Sequence, residues 1–365
     1  MPAPAARPSR IDLDDRRSYQ ALDPQGMLDF AINLPTQLEH AARIGRSFKP
    51  PARLRHPAHI VLSGMGGSAV AGDLLARLCE PHLTVPFLVN RDYRIPRFVG
   101  PRTLFIASSH SGDTEEALAS VALALRRGAR VLAITTDGKL RALALRRHLP
   151  LIEIPQTDPP MPPRAALGYS LVPLVFLLGA LGCYPGAERQ MREAIGLVSR
   201  LRDRLHPRVP TRRNSAKQLA LALFGKTPWV HGTPGAMAAA AYRWRCQFNE
   251  NSKVLACSSE YPELNHNEVV GWELPPALTR NLAVVVLQEP GASARIQARV
   301  EITRELVGRK APVHVIAAEG NSPLARLLWV LALGDFTSLY LAFLNGANPA
   351  AIDAINELKG RLAAL

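Results

Sequence analysis

Seven residues, Ser108-Ser109-His110-Ser111-Gly112-Asp113-Thr114, carry four hydroxyls and a glycine directly behind the apolar run 103–107. A helical pattern opens at once with Glu115-Glu116-Ala117-Leu118. A buried strand that empties into such a loop sets hydroxyls and unpaired N–H groups where they can replace the water shell of an anion. One hydroxyl suffices for an ordinary N-cap, so this density points to a phosphate. A second loop, Ser63-Gly64-Met65-Gly66-Gly67-Ser68-Ala69, follows the apolar run 59–63. Its glycines let the backbone approach a ligand and take left-handed angles. The spacing Gly64-x-Gly66-x-x-Ala69 also fits a dinucleotide fingerprint, which needs an acid closing the second strand. The chain there reads Val89-Asn90-Arg91-Asp92, a late acid behind a basic residue. A dinucleotide site does not require the second, hydroxyl-rich loop, so two loops at neighbouring strand ends fit one monophosphate.

Three other residues stand out by type and place. Arg164 follows Pro162-Pro163 and precedes an apolar helical run; a cation at a helix start opposes the helix dipole unless it faces an anion. His266 lies in a polar turn between Pro262 and Gly271. A solvated loop histidine is the plain reading, although its ordinary pKa suits proton transfer near neutrality. Lys359 sits on the last helix, where its plain role is to complement the dipole.

The elements that must position these groups alternate along the chain. Strand-like runs occur at 59–63, 85–89, 103–107, 130–134 and 149–154, with helical patterns at 69–78, 115–127 and 139–147. A charged helical connector covers 189–213 and ends near Pro207 and Pro210. The alternation resumes with a strand at 227–231, a helix at 236–247, strands at 282–287 and 312–317, and a long apolar helix at 323–344. Such alternation predicts parallel sheets covered on both faces. The stretch 165–184 is apolar for about 20 residues, the length of a membrane span. It holds Tyr169, Ser170 and Pro173 within the strand–helix alternation, so a buried helix is expected and no membrane association.

Composition narrows the function classes. The 365 residues are 47% hydrophobic and carry a net charge of +14, with lysine occurring only seven times. The arginines are scattered and not interleaved with aromatics, so no nucleic-acid groove is expected. The four cysteines, Cys79, Cys183, Cys246 and Cys257, form no CxxC pair or zinc-spaced cluster, which predicts reduced thiols, a cytoplasmic protein and no metal. The first 16 residues show no apolar signal core.

The paired loops resemble the sugar-isomerase (SIS) domain, a flavodoxin-like fold that binds phosphosugars. Further segments resemble the bifunctional phosphoglucose/phosphomannose isomerase family from about residue 20 onward. They are Leu22-Asp23-Pro24-Gln25-Gly26-Met27, Pro163-Arg164-Ala165-Ala166-Leu167-Gly168-Tyr169-Ser170, Phe248-Asn249-Glu250-Asn251-Ser252-Lys253, Glu263-Leu264-Asn265-His266-Asn267 and Asn348-Pro349 through Ile355-Asn356-Glu357-Leu358-Lys359. The resemblance implies an α/β protein with two SIS-type flavodoxin-like domains, each a parallel sheet flanked by helices, and a C-terminal helix. The expected divisions are a flexible arm over 1–20, a first SIS domain over 21–190, a helical connector over 191–215, a second SIS domain over 216–345 and a C-terminal helix over 346–365.

The implied activity is interconversion of glucose 6-phosphate, and of mannose 6-phosphate, with fructose 6-phosphate through a cis-enediol, without a cofactor. Moving a proton between adjacent carbons needs a carboxylate base, proton shuttles for ring opening, and a cation near the developing oxyanion. The resemblance assigns these to Glu250 as base, His266 and Lys359 for ring opening, and Arg164 for the enediolate. It gives the phosphate to Gly67, Ser68, Ser109, Ser111 and Thr114. It also implies a homodimer in which His266 reaches the neighbouring subunit's site. At Ile352 some members carry a threonine linked to accepting the mannose epimer, so phosphoglucose activity is the firmer expectation. His110 is left open between touching substrate and facing solvent. Two other functions remain as alternatives. One is a non-catalytic phosphosugar-binding SIS regulator, against which the candidate base and shuttles argue; the other is an NAD-dependent dehydrogenase.

Overall fold

The computed structural model describes residues 11–273 and 275–364. The chain starts with helices α1 (Met27–Ile32) and α2 (Leu34–Ser47). There follow β1 (His59–Ser63), α3 (Gly66–Cys79), β2 (Phe87–Asn90), β3 (Thr103–Ser109), α4 (Glu115–Arg126), β4 (Arg130–Thr135), α5 (Gly138–Arg146) and β5 (Leu151–Glu153). Helices α6 (Leu167–Ala180), α7 (Ala187–Leu205) and α8 (Ser215–Leu223) lead to β6 (Thr227–Gly232), α9 (Ala236–Glu250), β7 (Cys257–Glu260), α10 (Glu268–Gly271) and α11 (Pro276–Thr279). The chain closes with β8 (Leu282–Gln288), α12 (Ala294–Gly308), β9 (Val313–Ala317), α13 (Pro323–Leu344) and α14 (Asp353–Ala363).

Two compact units form. The first contains Asn33–Val198 and Gly320–Arg326; the second contains the segment up to Ile32, Ser199–Glu319 and Leu327–Leu365. Each holds one parallel sheet, ordered β2-β1-β3-β4-β5 in the first and β7-β6-β8-β9 in the second. Residues of β3 are buried along its whole length, as expected of a parallel strand covered on both faces. On one face of the first sheet Val61, Phe105 and Val131 pack with Val121, Ala124 and Leu140. In the second unit Val284 and Val286 pack with Tyr261, Leu264, Trp272, Val300 and Val307.

The apolar stretch at 165–184 becomes the buried helix α6. At 14 residues α6 is too short to span a bilayer; α13 is long and apolar enough to do so, but 94% of its most apolar window is already buried within the protein. Elements β7 and α12 have no counterpart among the strands and helices expected from the sequence. β7 is a polar edge strand, Cys257-Ser258-Ser259-Glu260, and α12 buries only Val300, Thr303 and Val307. At β2 the ladder starts at Phe87 rather than Val85, because Pro86 has no N–H to donate and only its carbonyl pairs, with Ile60 N.

Residues 1–10 of the expected arm lie outside the described residues. From Ile11 onward the chain is docked: Leu13 and Tyr19 are buried, and Tyr19 stacks on Phe343 at 4.5 Å. Asp14 Oδ1 accepts from Lys217 Nζ at 3.0 Å, and the same ammonium donates to the carbonyls of Pro207 and Val209. The Lys217 side chain is fully buried, so all three of its donors are spent on fixed acceptors. Lys217→Met strands one buried and one half-buried carbonyl and is expected to cost roughly 2–4 kcal/mol of stability. A lowered urea midpoint with an unchanged slope checks this; an unaltered midpoint refutes it.

Candidate active site

In the first unit the strand order reverses between β1 and β3, and the carboxyl ends at such a reversal open a crevice. Both hydroxyl-rich loops leave the sheet there. They abut so closely that a Cβ on Gly64 would lie 2.6 Å from the Ser108 carbonyl. Ser68 is buried in the first turn of α3, and Ser109 is buried at the end of β3. Ser111 is exposed, and Thr114 is the N-cap of α4. The Thr114 hydroxyl does not cap its own helix but pairs with Ser109 Oγ at 2.8 Å. Met65, the N-cap of α3, supplies no side-chain cap either. Two helix starts with uncapped N–H groups thus flank a cluster of hydroxyls, which is the arrangement an oxyanion needs.

The 108–114 loop is held by the start of α5. Gly112 O accepts from Leu140 N at 2.9 Å, and Asp113 Oδ1 accepts from Lys139 N at 3.1 Å. Gly112 has φ +78°, and a Cβ there would lie 1.7 Å from the Asp137 carbonyl. His110 is half-buried. Burial holds its pKa below the ordinary histidine value, partly offset by a hydrogen bond with the Met161 backbone, so it joins the loop to the segment that carries Arg164.

Arg164 is only 4% exposed, in a turn ahead of α6. The cradle and this turn meet directly: a Cβ on Gly67 would be 3.0 Å from Pro163 O. Gln37 clamps the turn from α2, donating from Nε2 to Ala165 O at 2.9 Å and accepting Gly168 N at Oε1 at 2.8 Å. The first unit therefore assembles Gly67, Ser68, Ser109, Thr114 and Arg164 around one crevice. Gly112→Ala must displace the Asp137 backbone and with it the loop. It is expected to weaken inorganic phosphate binding by at least about tenfold in calorimetry; unchanged affinity would show that anions bind elsewhere.

Glu250, His266 and Lys359 belong to the second unit. Glu250 is the half-buried last residue of α9. The turn after it is pinned to α13 and to the chain leading into α14. Asn251 Nδ2 donates to Ser338 Oγ at 3.0 Å, Ser252 Oγ to Ser338 O at 2.6 Å, and Asn345 Nδ2 to Ser252 O at 2.9 Å. Lys253, at φ +56°, donates from Nζ to Glu250 O at 2.5 Å and to Pro349 O at 3.5 Å. A cation on the last carbonyls of a helix is favourable. It ties the Glu250 turn to the segment preceding Lys359, which is exposed on α14. His266 ends the turn Glu263–His266 and is also exposed. Ile352 is the residue before α14 and brings no hydroxyl there.

Gln37 and Lys253 were not singled out from the sequence. Gln37 left a signal, a glutamine among Leu34, Pro35, Leu38 and Ala41 on the buried face of α2. Among the described residues no group of three or more His, Cys, Asp or Glu is placed to hold a metal.

The model for the bacterial phospho-glucose isomerase C-terminal SIS domain matches residues 212–362, and that for the SIS domain matches 53–158. A bifunctional phosphoglucose/phosphomannose isomerase from Caldicellulosiruptor bescii is 39% identical over 338 residues, 92% of this chain and 99% of the relative. Another, from Thermoplasma acidophilum, is 33% identical over 92% of this chain and 98% of its own. A solved structure of a hypothetical protein from Thermus thermophilus has the same fold, with a TM-score of 0.73 at 20% identity over 96% of this chain and 92% of that one. The loops, the buried arginine turn and these full-length likenesses agree: the chain belongs to the bifunctional phosphoglucose/phosphomannose isomerase family.

Proposed function

We propose that the chain is an aldose–ketose isomerase that interconverts glucose 6-phosphate and mannose 6-phosphate with fructose 6-phosphate. The observation that carries this reading is the hydroxyl-lined crevice at β1 and β3 with the buried Arg164 turn at its rim. In the proposed reaction Gly67, Ser68, Ser109, Ser111 and Thr114 hold the phosphate, the inert end of the substrate. His266 and Lys359 pass the protons that open the ring between O5 and O1. The Glu250 carboxylate then takes the proton from C2, and the electron pair moves into a C1–C2 double bond. Arg164 steadies the resulting enediolate, and Glu250 returns the proton to C1 while the O2 proton passes to O1. C1 is reduced and C2 oxidised within one molecule, so the balance needs no external oxidant or reductant. Glucose and mannose differ only at C2, which becomes planar in this intermediate, so one base can serve both. The free cysteines suit a cytoplasmic enzyme.

Glu250→Gln keeps size and removes the base, and is expected to lower kcat for both aldoses by at least about a thousandfold with little change in KM. Fructose 6-phosphate formation, followed separately from each aldose and with and without EDTA, reads this out. Turnover at the wild-type rate would remove Glu250 from the role, and EDTA sensitivity would contradict a metal-free mechanism.

The same reading makes the enzyme a homodimer with His266 acting in the neighbouring subunit's site. Two features support it: His266 is exposed on its own chain, and α14 exposes Ile355, Leu358 and Leu362 at helical spacing beside Lys359. Co-assembly of Glu250→Gln with His266→Ala chains then yields mixed dimers with one intact site. Activity is expected to recover to roughly a quarter of the wild-type rate from two nearly inactive parents. No recovery in mixed dimers would place His266 within its own subunit's site.

A further inference from the structure

The turn that presents His266 is fastened on both sides while the imidazole itself stays exposed. Before it, Leu264 is buried in the core of the second unit, and Asn265 Nδ2 donates to Thr303 Oγ1 on α12 at 2.7 Å. After it, Asn267 caps α10 by accepting Glu268 N at 2.5 Å and donates to Glu263 Oε1 at 2.9 Å. The deepest tie is Glu268. His231 Nε2 donates to its Oε1 at 2.7 Å and Trp272 Nε1 to the same oxygen at 3.4 Å. Trp229 Nε1 donates to Oε2 at 3.1 Å, and Ser259 Oγ donates to that oxygen as well.

Four donors, from β6, β7 and the end of α10, thus converge on one carboxylate whose side chain is 14% exposed. Burial pushes the Glu268 pKa up, but the hydrogen bonds and the nearby His231 outweigh it and hold the group below the ordinary glutamate range. An ionised acceptor surrounded by donors away from water is a stiff anchor. Such investment at two residues' distance from an exposed histidine is more than a surface turn needs.

We propose that Glu268 is the positioning residue for His266, locking the turn to β6 and β7 so that the imidazole projects in one fixed place. The proposal rests on His266 opening the sugar ring. A proton shuttle displaced by about 1 Å loses much of its rate, so slack at Glu268 is felt in ring opening and not in phosphate binding.

Ring opening can be followed alone as anomerisation of glucose 6-phosphate by exchange NMR in a Glu250→Gln background, where transfer at carbon is stopped. In that background Glu268→Ala is expected to slow anomerisation at least about tenfold. Inorganic phosphate affinity should stay within a factor of about two, and Glu268→Ala should add no further loss to His266→Ala. Normal anomerisation in Glu268→Ala beside a slow His266→Ala overturns the positioning role and leaves the ring-opening role standing. Normal anomerisation in His266→Ala itself removes the ring-opening reading, and the proposal with it. Losses that multiply in the double variant mark Glu268 as support for the fold at large, which also overturns it. If Glu268→Ala does not fold, Ser259→Ala and Trp272→Phe each withdraw one donor and carry the same comparison; anomerisation at the parent rate in both refutes the proposal.

Discussion

The reversal of strand order between β1 and β3 is the constraint on which the first unit depends. Crossovers to either side of that point send α3 and α4 to opposite faces of the sheet. The N–H groups at both helix starts are left facing one crevice. Neither helix takes a cap from its own N-cap side chain; the Thr114 hydroxyl turns instead to Ser109. Glycine is then required where Gly64 crosses Ser108 and Gly112 crosses Asp137, while Gly67 packs closely against Pro163. The Arg164 turn lies against one of these crossings, so the position of the arginine follows from that of the anion cradle.

The second unit repeats the first architecturally, with β7-β6-β8-β9 matching β2-β1-β3-β4 and, among the described residues, no counterpart of β5. At its own reversal, between β6 and β8, the pairing runs on past the end of β6. Thr233 N donates to Leu287 O at 3.0 Å, and Thr233 Oγ1 accepts Glu289 N at 2.9 Å. Glu289 also puts a carboxylate where the first unit has serines, and a carboxylate repels phosphate. The second reversal thus carries a different set of groups from the first. The candidate chemistry of the second unit comes from places a strand-end site does not use: the last turn of α9, the turn before α10, and α14.

Legibility in the sequence follows the same physics. Parallel strands covered on both faces are continuous apolar runs, so β1, β3, β4 and β8 stand out; the loop behind β1 is marked by its glycines and that behind β3 by its hydroxyl density. β7 does not stand out, because an edge strand of Cys257-Ser258-Ser259-Glu260 looks like a loop. Glu250 and Lys359 carried no signal of their own; a glutamate at a helix end and a lysine on a last helix are ordinary, and only the family resemblance gave them roles. Glu268 could not be found by any local reading. Its partners Trp229 and His231 come from strand β6, nearly forty residues earlier, and only folding brings them to one carboxylate.

Where discrimination between the two aldoses resides can be argued from the proposed chemistry. In glucose and mannose the C2 proton leaves from opposite faces of the carbon, yet both give the same planar enediol. A single carboxylate serves both only if the open chain rotates about C2–C3 while the phosphate stays in its cradle. Preference is then set by the groups that bound this rotation, and not by the base. The residues between Asn348 and α14 are tied to the Glu250 turn through Lys253 and Pro349, so they move with the base. Ile352 there offers bulk in place of a hydroxyl. Bulk limits rotation by volume, whereas a hydroxyl would favour one rotamer by hydrogen bonding. Under the proposed reaction, the ratio of the two activities would answer to the space around Ile352.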